Sequence, residues 1–210
     1  MKFAFTLFVV LASYANSALS EDSFDSFPFD EVLATKAHIK QLRAGGYVIY
    51  IRHGNTDNSR ADRSPSVDLN DCSTQRVLSK EGVQVMTMVG NEIRNAKIPI
   101  GDIITSPMCR VKHSARLLFN TDFKVDSLLM YSSNMTSEEK IPVIEKTREI
   151  LSTLVAPGKN RVMVAHAPNL MDLMGYFPKE GTFVIFKPLG NSKYEYIASI
   201  LPKHWKNLHQ

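Results

Sequence analysis

The sequence predicts an α/β sandwich of three layers, in which helices cover both faces of a mostly parallel sheet that ends in an antiparallel hairpin. Strand-like and helix-like segments alternate from about residue 31 to residue 175, a pattern typical of strands joined by crossover helices. The β-rich segments 182–187 and 194–200 then flank Gly190 and Asn191, which indicates a hairpin. A composition of 44% hydrophobic and 22% charged residues excludes a disordered or collagen-like chain.

The first predicted elements have clear local signals. Asp30 is a candidate N-cap for a helix over about 31–43, which the Gly45–Gly46 pair would end. Residues 47–51 are β-branched and aromatic, which favours a strand buried on both faces. Residues 55–73 are rich in Asn, Asp, Ser and Arg, and we predict a long surface loop there. Loops of that length usually carry function.

The central elements follow the same alternation. Ser79 is the expected N-cap of a helix over 80–95, whose apolar residues recur at spacings of three and four. A short strand over 102–105 leads into a turn at 106–107 and a helix over about 110–118. The predicted strand and the helix after it add one more strand–helix unit to the sheet.

The last crossover unit is less regular. We predict a third strand over 123–129, a helix over 137–154 and a fourth strand over 161–165. Pro142 indicates either an irregular first turn of that helix or its true start. No repeat, low-complexity tract or linker interrupts the chain, so a single domain over 21–210 is predicted.

The N-terminus has the pattern of a secretory signal peptide. Met1 and Lys2 give a positive start, residues 3–12 are almost entirely apolar, and Ala18-Leu19-Ser20 fits the cleavage rule. The alternative, a membrane anchor, is disfavoured because about a dozen apolar residues cannot span a bilayer. Cleavage after Ser20 would give a soluble, exported protein that is periplasmic or extracellular.

Charge and cysteine content restrict the possible partners. The net charge is +4 and the sequence contains no run of Lys or Arg. This weak, dispersed positive charge suits a small anionic substrate and gives no reason to expect a nucleic-acid partner. Cys72 and Cys109 stand 37 positions apart without the paired spacing of zinc ligands. In an oxidising compartment they form either one disulfide or two separate thiols, and the sequence leaves both open.

Unusual residues follow three of the predicted strands. Arg52 and His53 follow the first strand, Arg110 begins the helix after the second, and His166 follows the fourth. Because ligands gather beyond the carboxyl ends of parallel strands, we expect these four side chains to meet at one rim.

These residue types suit phosphoryl transfer. A neutral imidazole is a good nucleophile towards phosphorus, and His53 is the candidate. Guanidinium groups and a second imidazole would hold the charged phosphoryl oxygens without a metal or cofactor. Gly54 would allow close approach of the backbone to the ligand, and Asn55 and Asn169 are candidate substrate contacts at the same strand ends.

Four segments resemble the signature segments of the histidine phosphatase superfamily, which has the phosphoglycerate-mutase-like fold. They are IYIRHGNTD, SPMCR and VMVAHAPN, together with DCSTQRVLSKEG, which is similar to a variant in small exported bacterial members. The similarity covers roughly residues 45–200. It implies that His53 becomes phosphorylated, that Arg52 and Arg110 bind phosphoryl oxygens, and that His166 completes the pocket.

One family feature is missing. Phosphoglycerate-mutase-like members carry a glutamate that protonates the leaving group in the loop after the third strand, but residues 129–137 contain no carboxylate. The acid phosphatase branch has an aspartate where this chain has Ala167. The remaining candidates for the acid are Asp57 and Glu180, with Asp68 and Asp71 as weaker options.

The sequence therefore predicts an exported, metal-independent phosphatase that hydrolyses a small phosphomonoester through a phosphohistidine on His53. A phosphotransferase or mutase is the first alternative. The second is a phospholigand-binding protein of weak activity, which the missing glutamate would explain. No membrane span is expected after the signal peptide.

Overall fold

The computed structural model describes residues 29–63 and 66–208. The predicted signal peptide, residues 1–20, lies outside the described residues. The helices are α1 Lys36–Ala44, α2 Lys80–Asn95, α3 Cys109–Phe119, α4 Ser137–Ser152, α5 Ala167–Met174 and α6 Trp205–Leu208. The strands are β1 Val48–Arg52, β2 Ile100–Thr105, β3 Lys124–Val125, β4 Asn160–Ala165, β5 Phe183–Gly190 and β6 Lys193–Ile200.

The six strands form one sheet in the order β3-β2-β4-β1-β5-β6. The strands β3, β2, β4 and β1 pair in parallel, whereas β5 is antiparallel to both β1 and β6. The predicted mostly parallel sheet with an edge hairpin is confirmed. Since β1 and β4 are central neighbours, their carboxyl ends lie side by side at the same edge.

The two faces of the sheet bury separate cores, which makes three layers. Along β1, Ile49 and Ile51 face the core formed with α1, α2, α3 and α6. Val48 and Tyr50 face the opposite core, formed with α4 and α5. Successive side chains of a strand point to opposite faces, so one short apolar strand supplies both cores.

The predicted start of the first helix was wrong. The helix begins at Lys36 rather than at 31, because Thr35 supplies the N-cap and its amide donates to His38 Nδ1 at 2.9 Å. The preceding residues are extended and bridge to β6, where the Ser199 amide donates to Val32. That pairing covers part of a sheet edge, a long-range interaction that local capping signals do not contain.

One further prediction was wrong, whereas the predicted start of the next helix at residue 137 is confirmed. The third strand contains only Lys124–Val125 instead of 123–129, because the Asp126 side chain accepts the Leu128 amide and starts a 3-10 turn. Helix α4 starts at Ser137 with Thr136 as its cap, and Pro142 lies inside the helix rather than at its start. The capping contacts of Thr136 therefore outweigh the local disruption by proline.

The two cysteines form a disulfide with their Cα atoms 5.7 Å apart, which decides between the alternatives that the sequence left open. It joins the end of the long loop to the first residue of α3. Within the part of the chain that the structure describes, no helix has the length and hydrophobicity needed to cross a bilayer.

Candidate active site

The register of β1 and β4 brings two histidines together. Arg52 lies opposite Ala165 in the parallel pair, and the His53 amide continues the ladder by donating to the Ala165 carbonyl at 3.2 Å. The residue directly after each strand is a histidine, His53 after β1 and His166 after β4. The imidazole rings of His53 and His166 have centroids 5.4 Å apart, and the two residues are 2% and 0% exposed.

A backbone contact determines the proton position on His53. Its Nδ1 lies 2.9 Å from the Gly54 carbonyl oxygen. A carbonyl only accepts, so Nδ1 carries the proton and the neutral ring keeps a lone pair on Nε2. Burial lowers the pKa of His53 well below its ordinary value, and the positive charge of Arg110 lowers it further. His53 is therefore an uncharged imidazole with a free nucleophilic nitrogen at neutral pH.

His166 is held from two directions. Its Nε2 lies 2.8 Å from the Ser106 hydroxyl, and its carbonyl accepts a hydrogen bond from the buried Tyr50 hydroxyl. Burial lowers its pKa strongly, followed by the charges of Arg110 and the neighbouring ring of His53. Nδ1 is buried and has no partner among the described residues, so it is free to interact with a bound group.

Arg110 presents a buried cation with unused donors. It is the second residue of α3 and is fully buried. Its NH1 donates to both carboxylate oxygens of Asp62, at 3.0 and 3.1 Å. Nε and NH2 have no partner within the described chain. A desolvated guanidinium with two unpaired donors is costly unless an anion binds there.

Arg52 lies at the entrance of the site. NH1 donates to the Pro178 carbonyl at 2.7 Å, and NH2 lies 3.6 Å from Glu180 Oε1. The guanidinium also packs over the Phe177 ring at 5.1 Å. These contacts fix its direction, and its Nε is buried without a partner in the described residues.

A third arginine, Arg76, belongs to the same cluster and was missed by the sequence analysis. Its amide donates to Asp62 Oδ1 at 2.8 Å, and its carbonyl lies 3.4 Å from Arg110 NH1. Its charge lowers the pKa of both histidines, after the larger effect of burial. Its Nε is buried and unpaired within the described chain. Its place within the segment DCSTQRVLSKEG was the signal that the sequence offered.

The long loop is fastened to α3 beside Arg110. The Cys72–Cys109 disulfide makes one link. The buried Gln75 makes another, since its Oε1 accepts the Cys109 amide at 2.8 Å while its Nε2 donates to the Asp68 carbonyl. These contacts hold the segment that carries Asp62 and Arg76 against the arginine cluster, while the functional role predicted for the loop 55–73 stays a prediction.

The three predicted substrate contacts have structural partners of their own. A Cβ on Gly54 would lie 2.6 Å from Met86, so this glycine permits close packing of α2, and its amide donates to Ser114. Asn55 accepts the Ser79 amide through its carbonyl. The buried Asn169 donates to the Met130 carbonyl. Their direct contact with a substrate stays a prediction.

The acid candidates lie in different surroundings. Glu180 is at the site, paired with Arg52 and accepting a hydrogen bond from Thr56 at 3.0 Å. Asp57 instead accepts the Ser59 amide in its own loop, and hydrogen bonding from Ser59 lowers its pKa. Asp68 and Asp71 are exposed and accept amides two residues further along. Geometry therefore favours Glu180 over the other three.

Several buried nitrogens of the arginine and histidine cluster have no hydrogen-bond partner in the part of the chain that the structure describes. Within residues 29–63 and 66–208, those of the cluster are Arg52 Nε, Arg76 Nε, Arg110 Nε and NH2, and His166 Nδ1. The same residues contain no group of three or more histidine, cysteine, aspartate or glutamate side chains arranged for a metal ion. Several donors and three positive charges near a neutral imidazole have the chemistry needed to bind a multiply charged oxyanion.

Comparisons with known proteins agree with this arrangement at the level of the fold. No protein-family model and no curated protein matches the sequence. The structure resembles the protein histidine phosphatase SixA complexed with tungstate, with TM-score 0.51 and 13% identity over 75% of this chain and 98% of that chain. It also resembles mycobacterial glucosyl-3-phosphoglycerate phosphatase complexed with VO3, with TM-score 0.52 and 13% identity over 73% and 98%. The chain thus has the predicted phosphoglycerate-mutase-like fold of the histidine phosphatases.

Proposed function

We propose that this protein is an exported phosphatase that hydrolyses a small phosphomonoester through a phosphohistidine on His53, without a metal ion. One observation carries the proposal: a buried neutral imidazole with a free Nε2 stands beside a second imidazole and a cluster of unpaired guanidinium nitrogens. That combination supplies a nucleophile together with positive charge for three phosphoryl oxygens. The phosphatases with the same fold support it as well.

In the first step, His53 Nε2 attacks phosphorus and forms an N–P bond while the bond to the leaving oxygen breaks. The leaving oxygen takes a proton and departs as an alcohol. Arg52 and Arg110 neutralise the oxygens of the transferred group, and Arg76 adds a third positive charge. His166 donates to the phosphoryl group once the bound anion stabilises its protonated form.

In the second step, water attacks the phosphohistidine. Its oxygen forms a bond to phosphorus, the N–P bond breaks, and the electron pair returns to His53 Nε2. The group that protonated the leaving oxygen takes a proton from the water. Inorganic phosphate leaves, and the enzyme returns to its starting form.

Export is proposed from two features. Residues 1–20 have the pattern of a cleaved signal peptide, and residues 21–210 would form the mature protein. The Cys72–Cys109 disulfide suits an oxidising compartment outside the cytosol.

The test uses purified protein lacking residues 1–20, incubated with p-nitrophenyl phosphate in EDTA-containing buffer. We expect steady release of phosphate and, on rapid acid-free quenching, a base-stable, acid-labile phosphate on the His53 peptide. A transferase would release no phosphate without an added acceptor, and a binding protein would label once without turnover. Either result contradicts the proposal, as does complete loss of activity in EDTA.

A further inference from the structure

Tyr131 lies against the two groups at the centre of the site. Its ring meets the imidazole of His166 edge-on, with centroids 5.5 Å apart and planes at 77°. The guanidinium carbon of Arg110 lies 5.5 Å from the same ring centroid. Tyr131 and Asp62 also line a cavity of about 250 Å³, which neither histidine lines. The ring contacts with His166 and Arg110 therefore place the tyrosine beside the proposed phosphoryl site.

Helix α5 holds both neighbours of this tyrosine. Asn169 Nδ2 donates to the Met130 carbonyl at 3.1 Å, and the Ser132 hydroxyl donates to Asp172. Helix α5 begins directly after His166. The element that fixes the second histidine thus also fixes the backbone on each side of Tyr131, so the ring is preorganised.

The Tyr131 hydroxyl is not used by the fold. It makes no hydrogen bond to the residues that the structure describes. Arg110, whose guanidinium lies over the same ring, is one of the two groups that would hold the phosphoryl oxygens. A phenol O–H is a hydrogen-bond donor as well as an acceptor.

Glu180 is less suited to the same task. Its Oε1 accepts a hydrogen bond from Thr56 and lies 3.6 Å from Arg52 NH2, so both contacts direct this oxygen towards residues that shape the site. Glu180 is better explained as a positioning residue that directs Arg52.

We propose that Tyr131 is the catalytic acid that protonates the leaving oxygen, an assignment that rests on the proposed function. As the N–P bond to His53 forms and the P–O bond breaks, the hydroxyl proton passes to the leaving oxygen, which departs as an alcohol. The positive charge of Arg110, which lies over the ring, stabilises the resulting tyrosinate. It then takes a proton from the attacking water, whose oxygen bonds to phosphorus as the N–P bond breaks. The assignment predicts that unactivated alkyl phosphates are substrates.

The experiment compares Tyr131→Phe with Glu180→Gln on two substrates. The phenylalanine keeps the ring contacts with His166 and Arg110 and removes only the hydroxyl. For an alkyl phosphate such as glycerol phosphate, Tyr131→Phe should lower kcat/KM by about 100-fold or more. For p-nitrophenyl phosphate, whose leaving group needs little protonation, the loss should stay below about threefold. The burst of phosphohistidine from the aryl substrate should be retained.

Glu180→Gln should lower both activities in similar proportion, because it acts through Arg52. The assignment is overturned if Tyr131→Phe affects both substrates equally, if it leaves the alkyl activity intact, or if Glu180→Gln alone shows the alkyl-selective loss. These results differ from failure of the proposed function, in which the unmodified protein releases no phosphate from the aryl substrate and acquires no phosphohistidine.

Discussion

The two strand-end histidines and the loop-borne residues reach the same site by different means. His53 and His166 follow paired central strands, and main-chain hydrogen bonds fix their separation. Asp62 comes from the long loop and Arg76 from the segment directly after it, and side-chain contacts and a disulfide attach this part of the chain to α3. The sheet thus positions the proposed nucleophile, whereas the loop positions charge around it.

This difference suggests that the two regions make different contributions to the proposed reaction. Bond formation at phosphorus requires accurate placement, and a buried parallel ladder is the most rigid part of such a fold. Charge stabilisation tolerates small displacements because it acts over longer distances. We therefore expect losses of activity to decrease from the strand ends to the loop and its fastening.

The largest loss should follow removal of the nucleophile. His53→Ala should lower turnover of p-nitrophenyl phosphate by at least about 1,000-fold, since covalent catalysis is lost. Steady-state kinetics measure this. The matched control is His113→Ala, an exposed histidine of α3, which should change turnover by less than about twofold. Residual activity of the His53 variant above about 1% would argue against a phosphohistidine.

Arg110 should come next, because it is buried beside both histidines. Arg110→Ala should lower kcat/KM by about 100-fold or more. Arg110→Lys should recover little, since an ammonium cannot replace the paired donors of a guanidinium. Arg116→Ala serves as the control from the same helix, where that side chain packs over Phe123. A lysine variant with nearly full activity would show that only the charge matters.

The loop should contribute a smaller effect through Asp62. Asp62→Asn keeps an acceptor for the Arg76 amide but removes the negative charge that orients Arg110. We expect kcat/KM to fall about tenfold. Asp57→Asn, in the same loop, should cost less than about threefold, because an amide oxygen also accepts the Ser59 amide. If the two variants lost activity equally, Asp57 would contribute as much as Asp62, and it would again be a candidate for the catalytic acid.

Loosening the attachment of the loop should affect stability more than chemistry. The double variant Cys72→Ser, Cys109→Ser should lower the free energy of unfolding by about 2–4 kcal/mol, as urea denaturation would measure. Activity should fall by only about threefold, because Gln75 and Asp62 still hold the loop to α3. A loss of activity as large as that of Arg110→Ala would mean that the disulfide itself sets the geometry of the site.

The smallest effect concerns pH. Burial and then Arg110 lower the pKa of His53 and His166, so both rings should give the NMR signals of neutral imidazole at pH 5.5. In the unfolded chain they should titrate near 6.5. The unfolded state then binds more protons, and the free energy of unfolding should fall as the pH drops below about 6.5. Protonated signals from either ring at pH 6 in the folded protein would contradict this.

Local signals in the sequence determined most of the secondary structure and half of the site. The apolar stretch 47–51, the Ser79 cap and the hairpin around Gly190 each predicted an element that the structure contains. His53 and His166 could be identified because strand ends are readable from the sequence, and parallel neighbours share an edge. The errors at the first helix and the third strand arose where distant contacts or a competing cap overrode the local pattern.

Tertiary structure alone decided which polar residues join the histidines. Nothing in the spacing of Asp62, Arg76 or Tyr131 indicates a common site, because loop residues are placed by the contacts that fasten the loop rather than by a repeating backbone geometry. The disulfide required two Cα atoms at 5.7 Å, a distance that no sequence pattern contains. The sequence by itself thus determined the fold and the pair of histidines, and packing of the loops against α3 and α5 determined the charged side chains and the tyrosine ring beside them.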